Sequence, residues 1–428
     1  MRSARALTGL GLTAVAILGL AACSGGGAPE ETAASDIHLR MTVWTSNEDH
    51  LALFDSIADE YLADHPEVTE IEFDPLPFED YTSTLTTQVA GGSAPDLAWI
   101  LENAAPDFVQ SGALLPLDET LEGTDGYEFD DLSESATALW HDDSGALVAY
   151  PFSTSPFVMF TNDDLLAQAG LPTAAQMQAN GDWNWDAVSE AGAAVHASTG
   201  KAGFVIRDFD YTTWDNLASV WMGWGAAPWS EDGAECTFDA PEMVEAFEFL
   251  HDAAFTKQSM PGPGTTADFF AAESAFTVTQ ISRASLLKGD FAWNLLPLPE
   301  GPEGEYSMIG QAGIGVLADG EQAQAAADFL AFFTNPENST QLAQYFPPPR
   351  ESLLNVDTLA ATNPTLTPEQ IEDVVIPGIQ SGVVRPSHTD SAEIGQEVRS
   401  ALDALWVPDA DIDGALDDVC TAIDPLLG

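Results

Sequence analysis

Asp96-Leu97-Ala98-Trp99-Ile100-Leu101 is an unbroken apolar run behind one carboxylate. It reads as a strand covered on both faces, as in a parallel sheet sandwiched between helices. Upstream, Ile37, Leu39, Met41 and Val43 recur at every second position and predict a first strand. Leu51, Phe54, Ala58, Tyr61 and Leu62 then follow helical spacing until Pro66. The spacing Thr45-x-x-Glu48 predicts a capping box at the start of that helix. Ile71 and Phe73 mark a second strand, and Tyr81, Leu85 and Val89 a second helix stopped by Gly91-Gly92. The order strand, helix, strand, helix, strand predicts an α/β fold with a mostly parallel sheet and helices on both faces.

Downstream the alternation continues. Extended segments are predicted around residues 148–160, 202–206, 276–281, 291–298 and 312–317. Helices are predicted over 213–223, 241–254, 323–333, 393–406 and 412–423. A chain of 428 residues exceeds one ordinary core and implies two lobes.

Asp and Glu number 69 against 11 Lys and Arg, a net charge of -58. Such a surface repels nucleic acid and anionic lipid headgroups, which excludes both as partners. The N-terminus has a different character. Arg2 and Arg5 precede an uncharged, mostly apolar stretch over residues 6–22, too short for a spanning helix and flanked like an export signal. It ends in Leu20-Ala21-Ala22-Cys23 followed by Ser24-Gly25-Gly26-Gly27, the pattern of a bacterial lipobox. The expectation is a signal peptide over 1–22, lipidation at Cys23, and a flexible tether over 23–36 that holds the protein on the extracellular face of the cell membrane. A disulfide between Cys236 and Cys420 is permitted there, two separate buried thiols being the alternative. No His/Cys cluster has zinc-ligand spacing, so no metal or cofactor is expected.

Seven segments occur in an order that resembles the family 1 extracellular solute-binding proteins, of which maltose-binding protein is a member. They are Met41-Thr42-Val43-Trp44, the stretch from Gly91 to Trp99, the stretch from Gln110 to Asp118, Tyr150 through Leu165, Asp182-Trp183-Asn184-Trp185-Asp186, Ala272 through Phe276, and Ala325 through Phe333. The resemblance covers nearly the whole mature chain. It implies a two-lobed, type II periplasmic-binding-protein-like fold with a hinge between the lobes. Residues 37–149 plus 297–333 would form the N-terminal lobe, and 154–294 plus 335–428 the C-terminal lobe. The passages between lobes would lie near 149–154, 294–297 and 333–335. The family further implies a monomer that captures a small carbohydrate and delivers it to the permease subunits of an ABC importer, and not an enzyme.

Parallel sheets bind solutes beyond the carboxyl ends of their strands. That rule selects Trp44, Ser46 and Glu48 after the first strand and Glu102 and Asn103 after the third, together with loops following 206, 276 and the 290s. Sugars stack their C–H faces on aromatic rings and bond their hydroxyls to planar polar side chains. Arg207 through Trp214 offers both, with Asp210, Tyr211 and Trp214 as candidates whose spacing resembles the family's stacking segment. Trp221 and Trp224 follow, and Trp214 and Trp221, seven apart on one helix face, admit a core reading beside the ligand reading. Glu48 reads equally as a helix cap. Ser155 matches a family position where maltose-binding protein carries glutamate, which implies a weaker contact or a larger pocket. Arg283, Gln311 and Arg350 complete the expected ligand set, Arg283 having a structural ion-pair reading as well. Two other functions fit parts of this pattern. A polyamine would suit aromatic rings with carboxylates. A secreted glycoside hydrolase would need a specific carboxylate pair, which 69 acids cannot single out.

Overall fold

A computed structural model describes residues 36–207 and 211–427, the side chains of residues 79 and 211–213 excepted. Among them are nine strands: β1 (Ile37–Val43), β2 (Val68–Pro75), β3 (Leu97–Leu101), β4 (Ala149–Asn162), β5 (Ala202–Ile206), β6 (Ser274–Gln280), β7 (Trp293–Leu296), β8 (Met308–Val316) and β9 (Val383–Val384). They hydrogen-bond in the order β2-β1-β3-β8-β4-β6-β5, with β7 on β4 and β9 on β8. β1 lies parallel to β2 and β3, and β5 parallel to β6. β8 runs antiparallel to both β3 and β4, so the sheet is mixed rather than purely parallel.

β4 organises the molecule. All fourteen of its residues are buried. Its first part pairs with β8 and its second with β6 and β7. The hydrophobic cores divide along it. One joins residues 39–152 to 312–346, on the β1–β3 side. The other side has a core on each face of the sheet, because successive side chains of a strand point opposite ways. Phe157 and Met159 enter one of them and Val158 and Phe160 the other.

The chain passes between the halves later than the sequence suggested. Residues 297–306 stay with the second half: Trp183 Nε1 donates to the Pro297 carbonyl, and Tyr306 OH accepts from Trp185 Nε1 and donates to the Ser219 carbonyl. The return is made inside β8, where Met308 belongs to the second core and Ala312 to the first. Helix Pro336–Leu342 and Phe346 likewise remain in the first core, beyond the passage expected at 333–335.

Local signals explain the helices that frame the junction. Helix Glu48–Asp64 is capped by Asn47, whose side chain accepts from Asp49 N. Thr45 Oγ1 instead accepts from Asn47 N and shares a hydrogen bond with His50, so the predicted capping box does not form. Helix Trp185–Thr199 rests against β5 through Gly192 and Gly203, where a Cβ on Gly203 would overlap Gly192. Asp411 caps helix Ile412–Ile423, and Cys420 on that helix is bonded to Cys236 with a Cα–Cα distance of 5.3 Å.

Candidate functional site

The loops at the carboxyl ends of β1, β3, β5 and β6 converge where the two halves meet. On one flank lies a cavity of about 310 Å³. The first half lines it with Asn47 and Asp49, just past β1, and with Gln344 and Tyr345. The second half contributes Ser282 and Ser285 after β6, and the segment from Leu359 to Leu366, which includes Thr362, Asn363 and Thr365. The wall thus mixes amides and hydroxyls with apolar side chains, among them Ile281, Pro347, Ile371 and Val375, and carries one phenol ring. Ser155, on β4 at the crossing, accepts from Ser282 N at 3.2 Å and ties the β6 loop to the shared strand. Tyr345 is braced by His50, whose ring centre lies 4.3 Å away. Burial lowers the pKa of His50, and Asp49 opposes the shift without cancelling it.

On the other flank the halves touch directly. Glu102, in the short turn after β3, is 2 % exposed and pairs with Arg385, which is 6 % exposed. Arg385 Nε donates to Glu102 Oε1 at 2.6 Å, and Nη2 donates to the same oxygen. Its Nη1 donates to Asn216 Oδ1 at 2.7 Å and stands 3.2 Å from Asp215. Burial opposes the charge on Arg385, but Asp215 and then Glu102 outweigh it and hold its pKa above the ordinary value. Two weaker contacts cross nearby. Arg207 lies over the ring of Phe78 at 5.6 Å, and Asp390 N donates to Asp107 Oδ1. The pKa of Arg207 is pushed down to about 10, by burial first and then by Arg385 and Arg283.

The residues singled out from sequence fall into distinct places. Trp44 is half-buried among Trp99, Tyr81, Phe152 and Phe78, at the inner edge of the junction. Ser46 and Glu48 are exposed beside the cavity residues Asn47 and Asp49. Gln311 is buried on β8, its Nε2 donating to the Ser135 carbonyl. Among the described residues, neither Gln311 Oε1 nor Asn103 Oδ1, both buried, has a hydrogen-bond partner. Arg283 lies over Phe270 at 5.2 Å and is electrostatically coupled to Arg207. Trp221 and Trp224 are in the core of the second half, packed on Phe247 and Phe249. Trp214, 7 % exposed, stacks on Trp221 at 5.9 Å and meets Phe238, so it too is largely core. Arg350 corrects the expectation placed on it. It is fully buried in the first half, over the ring of Tyr127, and donates to the carbonyls of Glu128 and Thr334. Those carbonyls and Ser339 use its donors, which makes it a brace of the fold rather than a ligand contact. Cys23, Asp210 and the side chain of Tyr211 lie outside the described residues, as do the expected signal peptide and nearly all of the expected tether.

Sequence reading missed Arg385, Asp215, Asn216, Tyr345 and the segment 359–366. A usable signal existed for Arg385: with only 11 basic residues in the chain, each arginine within the folded part stands out.

Comparison with known proteins agrees with this architecture. Residues 56–368 match the family described as bacterial extracellular solute-binding protein. The sn-glycerol-3-phosphate-binding periplasmic protein UgpB of Pectobacterium atrosepticum is 24% identical over 358 residues, covering 78% of this chain and 76% of the relative. An uncharacterized lipoprotein in the oleD 5' region of Streptomyces antibioticus is 25% identical over 347 residues, covering 77% and 73%. The ABC substrate-binding protein Lmo0181 from Listeria monocytogenes, solved in complex with cycloalternan, superposes with a TM-score of 0.78 at 22% identity, over 92% of this chain and 99% of that one. The family match spans well over half the sequence, and the two halves joined through β4 and β8 reproduce the fold of a solved substrate-binding protein. The chain belongs to the bacterial extracellular solute-binding proteins.

Proposed function

We propose that this protein captures a small carbohydrate in the cavity between its halves and delivers it to the permease of an ABC importer. It acts as a monomeric binder and not as an enzyme, held at the outer face of the membrane through Cys23. The two halves serve as lobes, with β4 and β8 as the hinge strands between them.

The cavity wall carries this reading. Asn47, Gln344, Asn363, Ser282, Ser285 and Thr365 offer neutral donors and acceptors from both halves, and Tyr345 offers an aromatic ring. Hydroxyl-rich solutes need that combination, and a volume near the lower end of the usual range of about 300–1,000 Å³ suits a mono- or disaccharide. The cycloalternan complex of the Listeria protein is consistent with a saccharide cargo on this fold.

A second reading has its own observation. Arg207, Arg283 and Arg385 lie near one another, three of the chain's 11 basic residues, with Glu102 and Asp215 offsetting part of their charge. That favours a polyol bearing a phosphate over a polyamine, and a relative is a glycerol-3-phosphate-binding protein. A thermal-shift panel separates the readings, because a solute at 100 times its dissociation constant adds about 2.7 kcal/mol of stability. Neutral mono- and disaccharides are expected to raise the midpoint. A rise with sn-glycerol-3-phosphate alone transfers the assignment to the second reading, and a rise with spermidine alone defeats both. Oligosaccharides incubated with the protein are expected to remain uncleaved.

A further inference from the structure

We infer that Trp229 is a positioning residue for Arg385, acting from outside the junction on both groups that fix its orientation. The indole stands between two other rings. That of His388 lies 5.3 Å away at 69°, and that of Trp214 lies 6.3 Å away at 72°. His388 is three residues past Arg385, on the segment that leaves β9. Trp214 directly precedes Asp215 and Asn216, which hold Nη1 of Arg385 at 3.2 and 2.7 Å. The backbone of the arginine and its guanidinium are therefore both braced against one indole.

A short hairpin makes that brace stiff. Trp229 pairs antiparallel with Cys236. Between them Ser230 N donates to the Glu235 carbonyl, and Gly233 N to the Ser230 carbonyl, both at 2.8 Å. Asp232 Oδ1 accepts from Ser230 Oγ at 2.6 Å and from Ala234 N at 3.2 Å. The base of the hairpin is fixed twice to the last helix and the turn after it: Cys236 is bonded to Cys420, and its N–H donates to Asp424 Oδ1 at 3.0 Å. The tip reaches His388, whose Nε2 stands 3.1 Å from the Gly233 carbonyl. A carbonyl only accepts, so Nε2 carries the proton and donates. Gly233 has φ +73°, and a Cβ there would come within 3.0 Å of that nitrogen, so the contact requires glycine.

Without His388 on the hairpin, β9 would be the main hold on the chain around Arg385, through Val383 N on the Ser307 carbonyl and Arg385 N on that of Ile309. A long arginine side chain loses rotamer freedom when Nε and Nη2 meet Glu102, and bracing it beforehand reduces that cost. Trp229, His388, Trp214 and Asp215 all stand on the second-half side, so the brace is independent of how the two halves approach each other. The effect on affinity rests on the solute-binding role proposed above. When the halves come together around a solute, Glu102 meets a guanidinium whose direction is already set.

Amide hydrogen exchange and a double-mutant cycle test the brace. Trp229→Leu removes the ring from both neighbours. In the solute-free protein it is expected to speed exchange at residues 383–390, while helix Ile412–Ile423 keeps wild-type protection. Its affinity for the mono- or disaccharide that most raises the wild-type midpoint is expected to fall roughly two- to thirtyfold. In an Arg385→Met background the same substitution is expected to cost no further affinity, because a residue that acts through Arg385 has nothing left to orient. His388→Ala is expected to reproduce the faster exchange, and His388→Gln, whose amide still donates to the Gly233 carbonyl, to recover part of the protection. If Trp229→Leu fails to fold, shown by lost protection in the 412–423 helix, the two His388 variants decide in its place. Wild-type exchange at 383–390 in a folded variant overturns the inference, and so does an affinity loss of equal size in the Arg385→Met background. If that background binds no sugar, the exchange result decides alone. A wild type that binds no sugar defeats the proposed function, while exchange still judges the brace.

Discussion

The two halves use their aromatic residues in opposite ways. In the first, a chain of rings runs from Phe54 and Trp99 in the core through Trp44 to Phe78, which is 43 % exposed at the junction. In the second, Trp214, Trp221 and Trp224 are no more than 8 % exposed and close upon Phe238, Phe247 and Phe249. The difference lies in what covers each cluster. The short helical turns carrying the second set are packed beneath helices Pro241–His251 and Ser391–Leu402. Large rings there fill space between helices, and burial of that kind is worth far more to folding than to solute contact. Tryptophan density after a strand is therefore no guide to a stacking platform until the layer above it is known.

The sharpest challenge to this contrast is Trp221→Ala. It is expected to cost about 3–5 kcal/mol of stability by leaving a cavity in the second core. Urea unfolding measures it. A loss of solute affinity with unchanged stability would return Trp221 to the binding surface. Next in size is reduction of the Cys236–Cys420 bond. It joins residues 184 positions apart and pins helix Ile412–Ile423 to the tryptophan-rich half. Its loss is expected to lower stability by about 2–4 kcal/mol, read from the same unfolding curves under reductant. Tyr345→Ala probes the opposite case, a ring facing the cavity. With the sugar that gives the largest thermal shift, its affinity should fall by about 0.5–1.5 kcal/mol, up to roughly tenfold, with little change in stability. Calorimetric titration measures this, and an equal loss of stability would class Tyr345 with the core rings.

The smallest effect concerns His50, the brace of that ring. Its folded-state pKa is depressed, so the folded state takes up its proton less readily than the unfolded chain. The associated stability is fully present above the unfolded value of about 6.5 and is lost as pH falls through the lower folded value. The melting temperature of wild type relative to His50→Gln is expected to decline from pH 7.5 to pH 5. A constant difference across that range would remove His50 from the account.

Much of the fold was legible because it depends on short-range periodicity. Helices Ala323–Phe333 and Ile412–Ile423 coincide with their apolar stripes, and β1, β2 and β3 fall on the residues that alternate or run apolar. The passages between halves were less accessible. β8 is buried at every position, so nothing in its composition marks where one core ends and the next begins. The site divides in the same manner. Glu102 follows from the strand-end rule, but its partner Arg385 is specified by tertiary geometry alone. Arg350 shows the converse. An arginine after three prolines looked available to a solute, yet its donors satisfy carbonyls on turns that only the folded chain brings together.

The pairing of β4 also constrains the order in which the molecule can assemble. The strand ends at residue 162, while β6, β7 and β8 begin at 274, 293 and 308. A chain emerging from its N-terminus must therefore carry the second part of β4 without its neighbours until about two thirds of it has been made, and the first part until nearly three quarters. Contacts of such separation form slowly, since the loops between them must close first. Premature, stable folding of the first half is discouraged, because its sheet lacks β8 between β3 and β4 until late. Topology alone thus delays completion of the sheet until late in the chain's synthesis.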